Sequence, residues 1–467
     1  MEKPVAHSQQ PFVALIVGVT GMAGLSLAEA LKSPKALGGP WKVYGSALRP
    51  MPTWFPSSVL DTYIAFDATD AGDTADKLAQ FSGEVTHLFW LAIQVRESEQ
   101  VNVTVNATML SNVLNVLKGG PGSRLSHVTV QTGTQHYMGP IHNPSESARS
   151  FNPHEPPFVE DLPRLPYPNF YYALEDLVKS YVPALTYSVH RSSIIIGASS
   201  RSVYNALLTL AVYASICQHE RLPFRYVGNR YTWEHFCDMS DARVLAEQHI
   251  WAAVTAGAKN QAFNCTNGDV FTWKSVWKQL CDIFDLEFIP FVESESFDVV
   301  EFMMEKSKVW DEIVEKHGLY KTKLEEITCP MALKLVLHFE FQHVCSMNKS
   351  REYGFYGYAD TLRSIPMKED MGAGVSLKHS FTMFLLEFFM FFRLVICCPQ
   401  LHATLMILVG QSSKETGVLA LNRTLAKPCL SDIEQVLTGQ GAGLYTEYVA
   451  VHLHVASLMA IAMLLQF

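Results

Sequence analysis

Three glycines, Gly18, Gly21 and Gly24, stand in Ile16-Val17-Gly18-Val19-Thr20-Gly21-Met22-Ala23-Gly24, directly after an apolar run and at the head of a helical stretch. At this spacing the first glycine permits a tight turn, the second lets backbone N–H groups approach a phosphate, and the third lets helix and strand pack closely. The helix N-terminus adds partial positive charge, so the chemistry predicted is binding of a dinucleotide pyrophosphate. A glycine-rich turn in an unrelated α/β protein is the plainer alternative. The ribose is read at the end of the second strand, Tyr44-Gly45-Ser46-Ala47-Leu48-Arg49, where no carboxylate occurs before Asp61. An acid there would hold the 2′-hydroxyl of NAD, whereas a guanidinium accommodates a 2′-phosphate, so Arg49 predicts NADPH. A solvated surface arginine is the bland alternative. Asp67, closing the next strand in Phe66-Asp67-Ala68-Thr69-Asp70, stands where a side chain can accept from the adenine amino group.

A short-chain reductase also needs an acid near the substrate oxygen, most often tyrosine, with a lysine one helical turn away. No Tyr-x-x-x-Lys occurs in this chain. Tyr171 and Tyr172, in Asn169-Phe170-Tyr171-Tyr172-Ala173-Leu174-Glu175-Asp176, are followed by acids and taken alone read as structural.

These residues need a scaffold that aligns strand ends with helix starts. The first half of the chain alternates short apolar runs with helical stretches, the pattern of βαβ units and a parallel sheet. It predicts strands over 13–19, 42–47, 63–67, 87–92, 127–131 and 186–191, with helices such as 25–33 and 104–117. The apolar stretch 203–217 has helical spacing and is too short to cross a membrane, so it is packing or pocket wall. From Trp251 onward aromatic-rich helices and loops predict a smaller lobe. The fold class expected is α/β: a Rossmann-type doubly wound parallel sheet with a smaller, mainly helical substrate lobe and an irregular C-terminal extension. The expected division is a polar tail over 1–11, an NADP-binding domain over 12–250, substrate-lobe contributions over 251–366 and an atypical hydrophobic extension over 367–467.

Composition narrows the function. The chain has 467 residues, 48% apolar and 17% charged, with a net charge of −9 and no basic cluster, which argues against nucleic acid. Nine cysteines without a CxxC pair, behind a polar N-terminus, suit reduced thiols in a soluble cytoplasmic protein. No metal-ligand spacing stands out. In the extension, 381–395 is apolar but interrupted by Glu387 and Arg393, and 449–467 contains His452 and His454. Each run could be a poor membrane anchor or part of a segment foreign to the working protein, and membrane contact is expected only in the first case. A homodimer stays open.

Residues 12–366 resemble the plant progesterone 5β-reductase and iridoid synthase family, a divergent branch of the short-chain dehydrogenase/reductases. The resemblance is carried by the glycine loop, by Gln131-Thr132-Gly133 through His136-Tyr137-Met138-Gly139-Pro140, by 169–176, by Ser188-Val189-His190-Arg191 and by Asn267-Gly268-Asp269-Val270-Phe271. It implies NADPH-dependent 1,4-reduction of α,β-unsaturated carbonyls, with a small hydrophobic enone or enal of steroid or monoterpenoid type as partner. Tyr171 would hydrogen-bond the substrate oxygen as the enolate forms. Cofactor contacts implied are Thr20, Gly21, Met22, Arg49, Asp67, Ala68, Gln131, Ile195, Ser202 and Tyr204, beside Gly18, Gly24 and Tyr171. Three departures follow. The family's two arginines for the 2′-phosphate are Leu48-Arg49 here, leaving one guanidinium alone. The family's catalytic lysine, in a Gly-x-Lys-His-Tyr context, is Gln135 here, a neutral donor that would stabilise the enolate less well unless His136 or a water fills the role. The match stops near Pro366. A catalytically impaired relative that senses NADPH or acts as a scaffold is the reading from another class.

Overall fold

The computed structural model describes residues 11–139, 152–293 and 297–369. The first strand, β1 (Val13–Val17), is five consecutive buried apolar residues, which only a sheet covered on both faces accommodates. It ends two residues before the expected 19 because Gly18 turns the chain at φ +96°. Strands β2 (Lys42–Ala47), β3 (Thr62–Ala65), β4 (His87–Trp90), β5 (His127–Gly133) and β6 (Thr186–Ser192) follow close to the expected positions. Short strands β7 (Ile194–Ile196), β8 (Phe236–Cys237), β9 (Met239–Asp241) and β11 (Phe271–Thr272) make two small sheets, while β10 (Gln261–Cys265) enters the main one. That main sheet runs β10-β6-β5-β4-β1-β2-β3 and is parallel throughout. Its order reverses between β1 and β4, so a crevice opens at their carboxyl ends.

Helices α1 (Met22–Lys32), α2 (Ala71–Leu78), α3 (Glu99–Gly119), α4 (Gln135–Met138) and α5 (Phe170–Ser180) belong to the first half. They are followed by α6 (Ala206–Glu220), α7 (Arg230–Glu234) and α8 (Ala242–Val254). Apolar side chains of α2, α3 and α5 form a core on one face of the sheet. Those of α1 and α8 form a core on the other, which makes the sheet doubly wound. The later helices are α9 (Trp273–Phe284), α10 (Val299–Met304), α11 (Ser307–His317), α12 (Leu324–Ile327), α13 (Pro330–Val336), α14 (Asn348–Glu352) and α15 (Thr361–Glu369). Most of them pack with α6 around Trp273, Trp277 and Trp310 into a separate, mainly helical core.

Two expectations are corrected. The sheet does not close before 250: β10, with no β-branched residue in Gln261-Ala262-Phe263-Asn264-Cys265, completes it, held by β6 pairing rather than by its own propensity. Nor does the lobe begin at 251, because α6, from the apolar stretch read as packing or pocket wall, lies in its core. The two parts interleave along the chain. The extension from 370 onward, with its two apolar runs, lies outside the described residues.

Candidate functional site

The glycine loop is locked onto β2: Gly18 N–H and Val19 N–H both donate to Ser46 O, at 2.9 and 3.0 Å. A Cβ on Gly18 would lie 2.9 Å from Ala92 N, and one on Gly24 would collide with Gly18 O, so neither position admits a side chain. Gly21 faces Ser202 Oγ, 3.4 Å from an ideal Cβ. A cavity of about 660 Å³ opens over this loop. Every residue expected to touch the cofactor lines it, from Gly18, Thr20, Gly21, Met22 and Gly24 to Gln131 and Tyr171. Gln131 Oε1 is buried there without a hydrogen-bond partner among the described residues. A backbone cradle no side chain can fill, beside an orphaned polar atom, fits a dinucleotide.

At the ribose end the cavity is bordered by Leu48, Arg49, Asp67 and Ala68. Tyr63 donates to Arg49 O at 2.6 Å and fixes that backbone. Asp67 Oδ1 accepts from Thr69 N–H at 2.9 Å and Thr69 Oγ1 at 2.7 Å, which fixes the carboxylate at the strand end. On the other side of the glycine loop, Ser199 Oγ donates to Thr20 O at 2.6 Å, and Met22 N–H donates to Ser202 Oγ at 3.0 Å. These bonds bring Ile195, Ser202 and Tyr204, far along the chain, to the cavity wall.

The tyrosine pair separates by role. Asn169 caps α5 by accepting from Tyr171 N–H at 3.0 Å, and its amide donates to Gln135 O at 3.0 Å, which sets the first turn of the helix. Successive helical residues point about 100° apart, so only one of the pair faces the cavity. It is Tyr171, whose hydroxyl lies 3.3 Å from where a Cβ of Gly133 would stand and makes no hydrogen bond among the described residues. Burial, with the nearby Glu99 carboxyl adding to it, raises the phenol well above its ordinary pKa, so it stays a neutral donor. Tyr172 is committed elsewhere, donating to His136 O at 2.7 Å and accepting from Leu165 N–H at 3.0 Å.

Gln135 heads α4 and reaches the cavity, but its amide is engaged: Nε2 donates to Glu99 Oε1 at 3.2 Å. Glu99 also accepts from Phe170 N–H at 2.8 Å and from Asn102 Nδ2 at 3.0 Å. Burial raises its pKa, against the pull of those donors. Gln135 Oε1 is left buried without a partner among the described residues. The His136 ring turns to Glu175, 3.6 Å away, and to Tyr172, away from Tyr171.

The profile of the PRISE-like Rossmann-fold domain matches residues 67–364. An (S)-8-oxocitronellyl enol synthase of Camptotheca acuminata is 45% identical over 357 residues, covering 76% of this chain and 90% of its own. A 3-oxo-Δ(4,5)-steroid 5-beta-reductase of Arabidopsis thaliana is 45% identical over 356 residues, covering 75% and 89%. The chain belongs to the PRISE-like family. A UDP-glucose 4-epimerase of Thermus thermophilus, solved in complex with NAD, has a TM-score of 0.52 over 77% of this chain and 98% of its own at 14% identity, which speaks for the fold alone. A second profile, SPARK, matches residues 378–457, so the extension is unlike the PRISE-like part.

Three residues of this PRISE-like site escaped sequence reasoning. Glu99 was missed because the helix was expected from 104, whereas α3 starts at Glu99 behind Ser98, which accepts from Val101 N–H at 3.3 Å. Ser98 just before a helical run was the signal available. His343 lines the cavity, with Nε2 2.7 Å from Thr134 Oγ1 and Nδ1 3.3 Å from Ser193 Oγ. Burial pushes it down to about 4, so it is a neutral imidazole at ordinary pH. Arg201 is the third. An apolar part of the wall, Leu333, Leu335, Val336 and Phe339, comes from α13 and the loop after it, while Gln94 and Arg96 add polar groups elsewhere.

Proposed function

We propose that this chain catalyses the NADPH-dependent 1,4-reduction of the C=C bond of an α,β-unsaturated carbonyl compound, with an apolar enone or enal of steroid or monoterpenoid type as substrate. The observation that carries the reading is the Tyr171 hydroxyl: protonated, without an intramolecular partner among the described residues, and in the same cavity as the glycine loop. The names of the relatives, an enol synthase and a steroid 5β-reductase, support the substrate class.

The reduced nicotinamide would supply hydride to the substrate's β-carbon, and the resulting enolate would take a proton from water at its α-carbon to give the saturated carbonyl. Tyr171 donates a hydrogen bond to the carbonyl oxygen and holds it more tightly as negative charge grows there, which is how a neutral donor accelerates the step. Leu333, Val336 and Phe339 exclude water and seat the apolar body of the substrate. Arg49 selects NADPH, Asp67 and Ala68 border the adenine, and Gln131, Ile195, Ser202 and Tyr204 line the rest of the cofactor's path. The described cysteines Cys217, Cys237, Cys265, Cys281, Cys329 and Cys345 are free thiols, which supports a reducing, cytoplasmic setting. Among the described residues no helix is long and apolar enough to cross a membrane.

The test is enone-dependent NADPH oxidation by the purified full chain, with cyclohexenone as probe and the saturated ketone as the product sought. Oxidation with formation of cyclohexanone is expected; tight NADPH binding without turnover on a panel of enones and enals would refute the proposal.

A further inference from the structure

The resemblance left Arg49 to hold a 2′-phosphate alone, but the fold brings another cation to the same cavity. The segment after β7 is fastened to the glycine loop: Ser199 Oγ donates to Thr20 O at 2.6 Å, Arg201 N–H donates back to Ser199 Oγ at 2.9 Å, and Ser202 Oγ accepts from Met22 N–H at 3.0 Å. The Arg201 backbone is thus held between two anchors, and the residue lines the cavity that Leu48 and Arg49 also line. Neither guanidinium forms an ion pair with a carboxylate among the described residues. They are close enough to act on each other: burial, then Arg201, lower the pKa of Arg49, with Glu326 and Tyr63 opposing more weakly. Tyr63, raised by burial, feels both cations in turn. Two guanidiniums lining one cleft, neither in an ion pair among the described residues, favour an anion there, and a phosphate dianion presents enough oxygens for both.

We propose that Arg201 is the second 2′-phosphate ligand of this chain, standing in for the arginine that Leu48 replaces. The assignment rests on the NADPH reading above and deepens it, making cofactor selection the joint work of two loops. A guanidinium brought in from the 199–202 segment would discriminate NADPH from NADH as Arg49 does. Were it aimed at the pyrophosphate instead, both cofactors would lose equally when it is removed.

Dissociation constants for NADPH and NADH are measured by fluorescence titration on the full-length wild type and on R201A, R201M, R201K, R49A and R49A/R201A. The wild type is expected to bind NADPH at least about tenfold more tightly than NADH; no preference would refute the NADPH reading itself, before any variant is considered. R201A and R201M are expected to weaken NADPH by about 10- to 100-fold, as for loss of a charge-assisted contact, and to leave NADH within about twofold. R201K should recover part of the loss, and the double variant should bind the two cofactors alike. With the wild-type preference intact, an unchanged NADPH affinity in R201M, or an equal loss for both cofactors, overturns the assignment to Arg201. R201M keeps the aliphatic stem, so an unfolded R201A leaves the comparison in place.

Discussion

Tyr171 and Tyr172 are chemically identical neighbours, and their partners alone distinguish them. Tyr171→Phe removes the only function we assign that hydroxyl, so kcat for an enone is expected to fall by about 100-fold or more while NADPH affinity stays unchanged. Tyr172→Phe instead frees a buried carbonyl and an N–H, and is expected to lower stability by about 1–3 kcal/mol with kcat retained. Urea titration alongside steady-state kinetics tells the two apart, and a reversal of the two phenotypes would exclude the assignment. Gln135 is the next such residue. Its amide donates into a carboxyl that a lysine at this position would pair with as an ammonium. Gln135→Lys is therefore expected to raise kcat, by up to the 100-fold or so that one well-placed donor typically contributes. The gain should vanish in Gln135→Lys/Glu99→Gln, where the ammonium is buried without its counter-charge. An unchanged or lower rate in the single variant, with folding and cofactor binding intact, would show that glutamine is no deficient substitute.

Helix α5 carries Tyr171 and, four residues on and only about 40° round the same face, Glu175, so whatever fixes Glu175 also fixes the rotation of the helix and what the cavity receives. Glu175 fixes that rotation through Arg191 of β6, whose Nη2 lies 3.0 Å from Oε1, with Arg164, Lys179 and the His136 ring between 3.5 and 3.7 Å. Burial works against ionisation here, but His136, Arg191 and Lys179 outweigh it and bring the carboxyl down to about 2. Because the folded pKa lies below the ordinary 4.5, the stabilisation is complete above that value and is lost as pH falls from about 4.5 toward 2. Urea midpoints should drop through this window in the wild type and vary less in Glu175→Gln. Glu175→Ala, which strands the Arg191 charge, is expected to cost about 3–5 kcal/mol. A flat midpoint across the window would remove Glu175 from this role. At this scale the sequence was legible where structure is local. The glycine loop and the strand ends before Arg49 and Asp67 each declare themselves within a few residues. Glu99 did not, because its meaning lies in bonds to Gln135 and Phe170, 36 and 71 positions away. Strand β10 did not either, since its pairing with β6 overrides a composition that favours no strand.

Among the described residues, the last contribution to a core comes from α15. Ile365 of α15 is buried in the lobe core, and Thr361 ties that helix to Asp269 by bonds of 2.8 Å from its N–H and 2.6 Å from Oγ1. A chain ending at Glu369 is expected to bind NADPH and reduce enones as the full chain does, whereas one ending at Asp360 should lose cooperative unfolding. Calorimetry and cofactor titration of both would decide it, and loss of binding in the longer one would make the SPARK-matching segment part of the working enzyme. The interleaving of sheet and lobe has a further consequence, in the order of biosynthesis. The residues proposed to hold a dinucleotide have all been made once Tyr204 is added, yet Leu333, Phe339 and His343 arrive more than a hundred residues later, His343 bonding back to Thr134 across 209 positions. Once α8 and β10 have joined the sheet, a nascent chain on the ribosome would thus hold the candidate cofactor cleft before it has a substrate chamber. The proposed NADPH, by binding at that stage, would act as a folding ligand before it acts as a reductant.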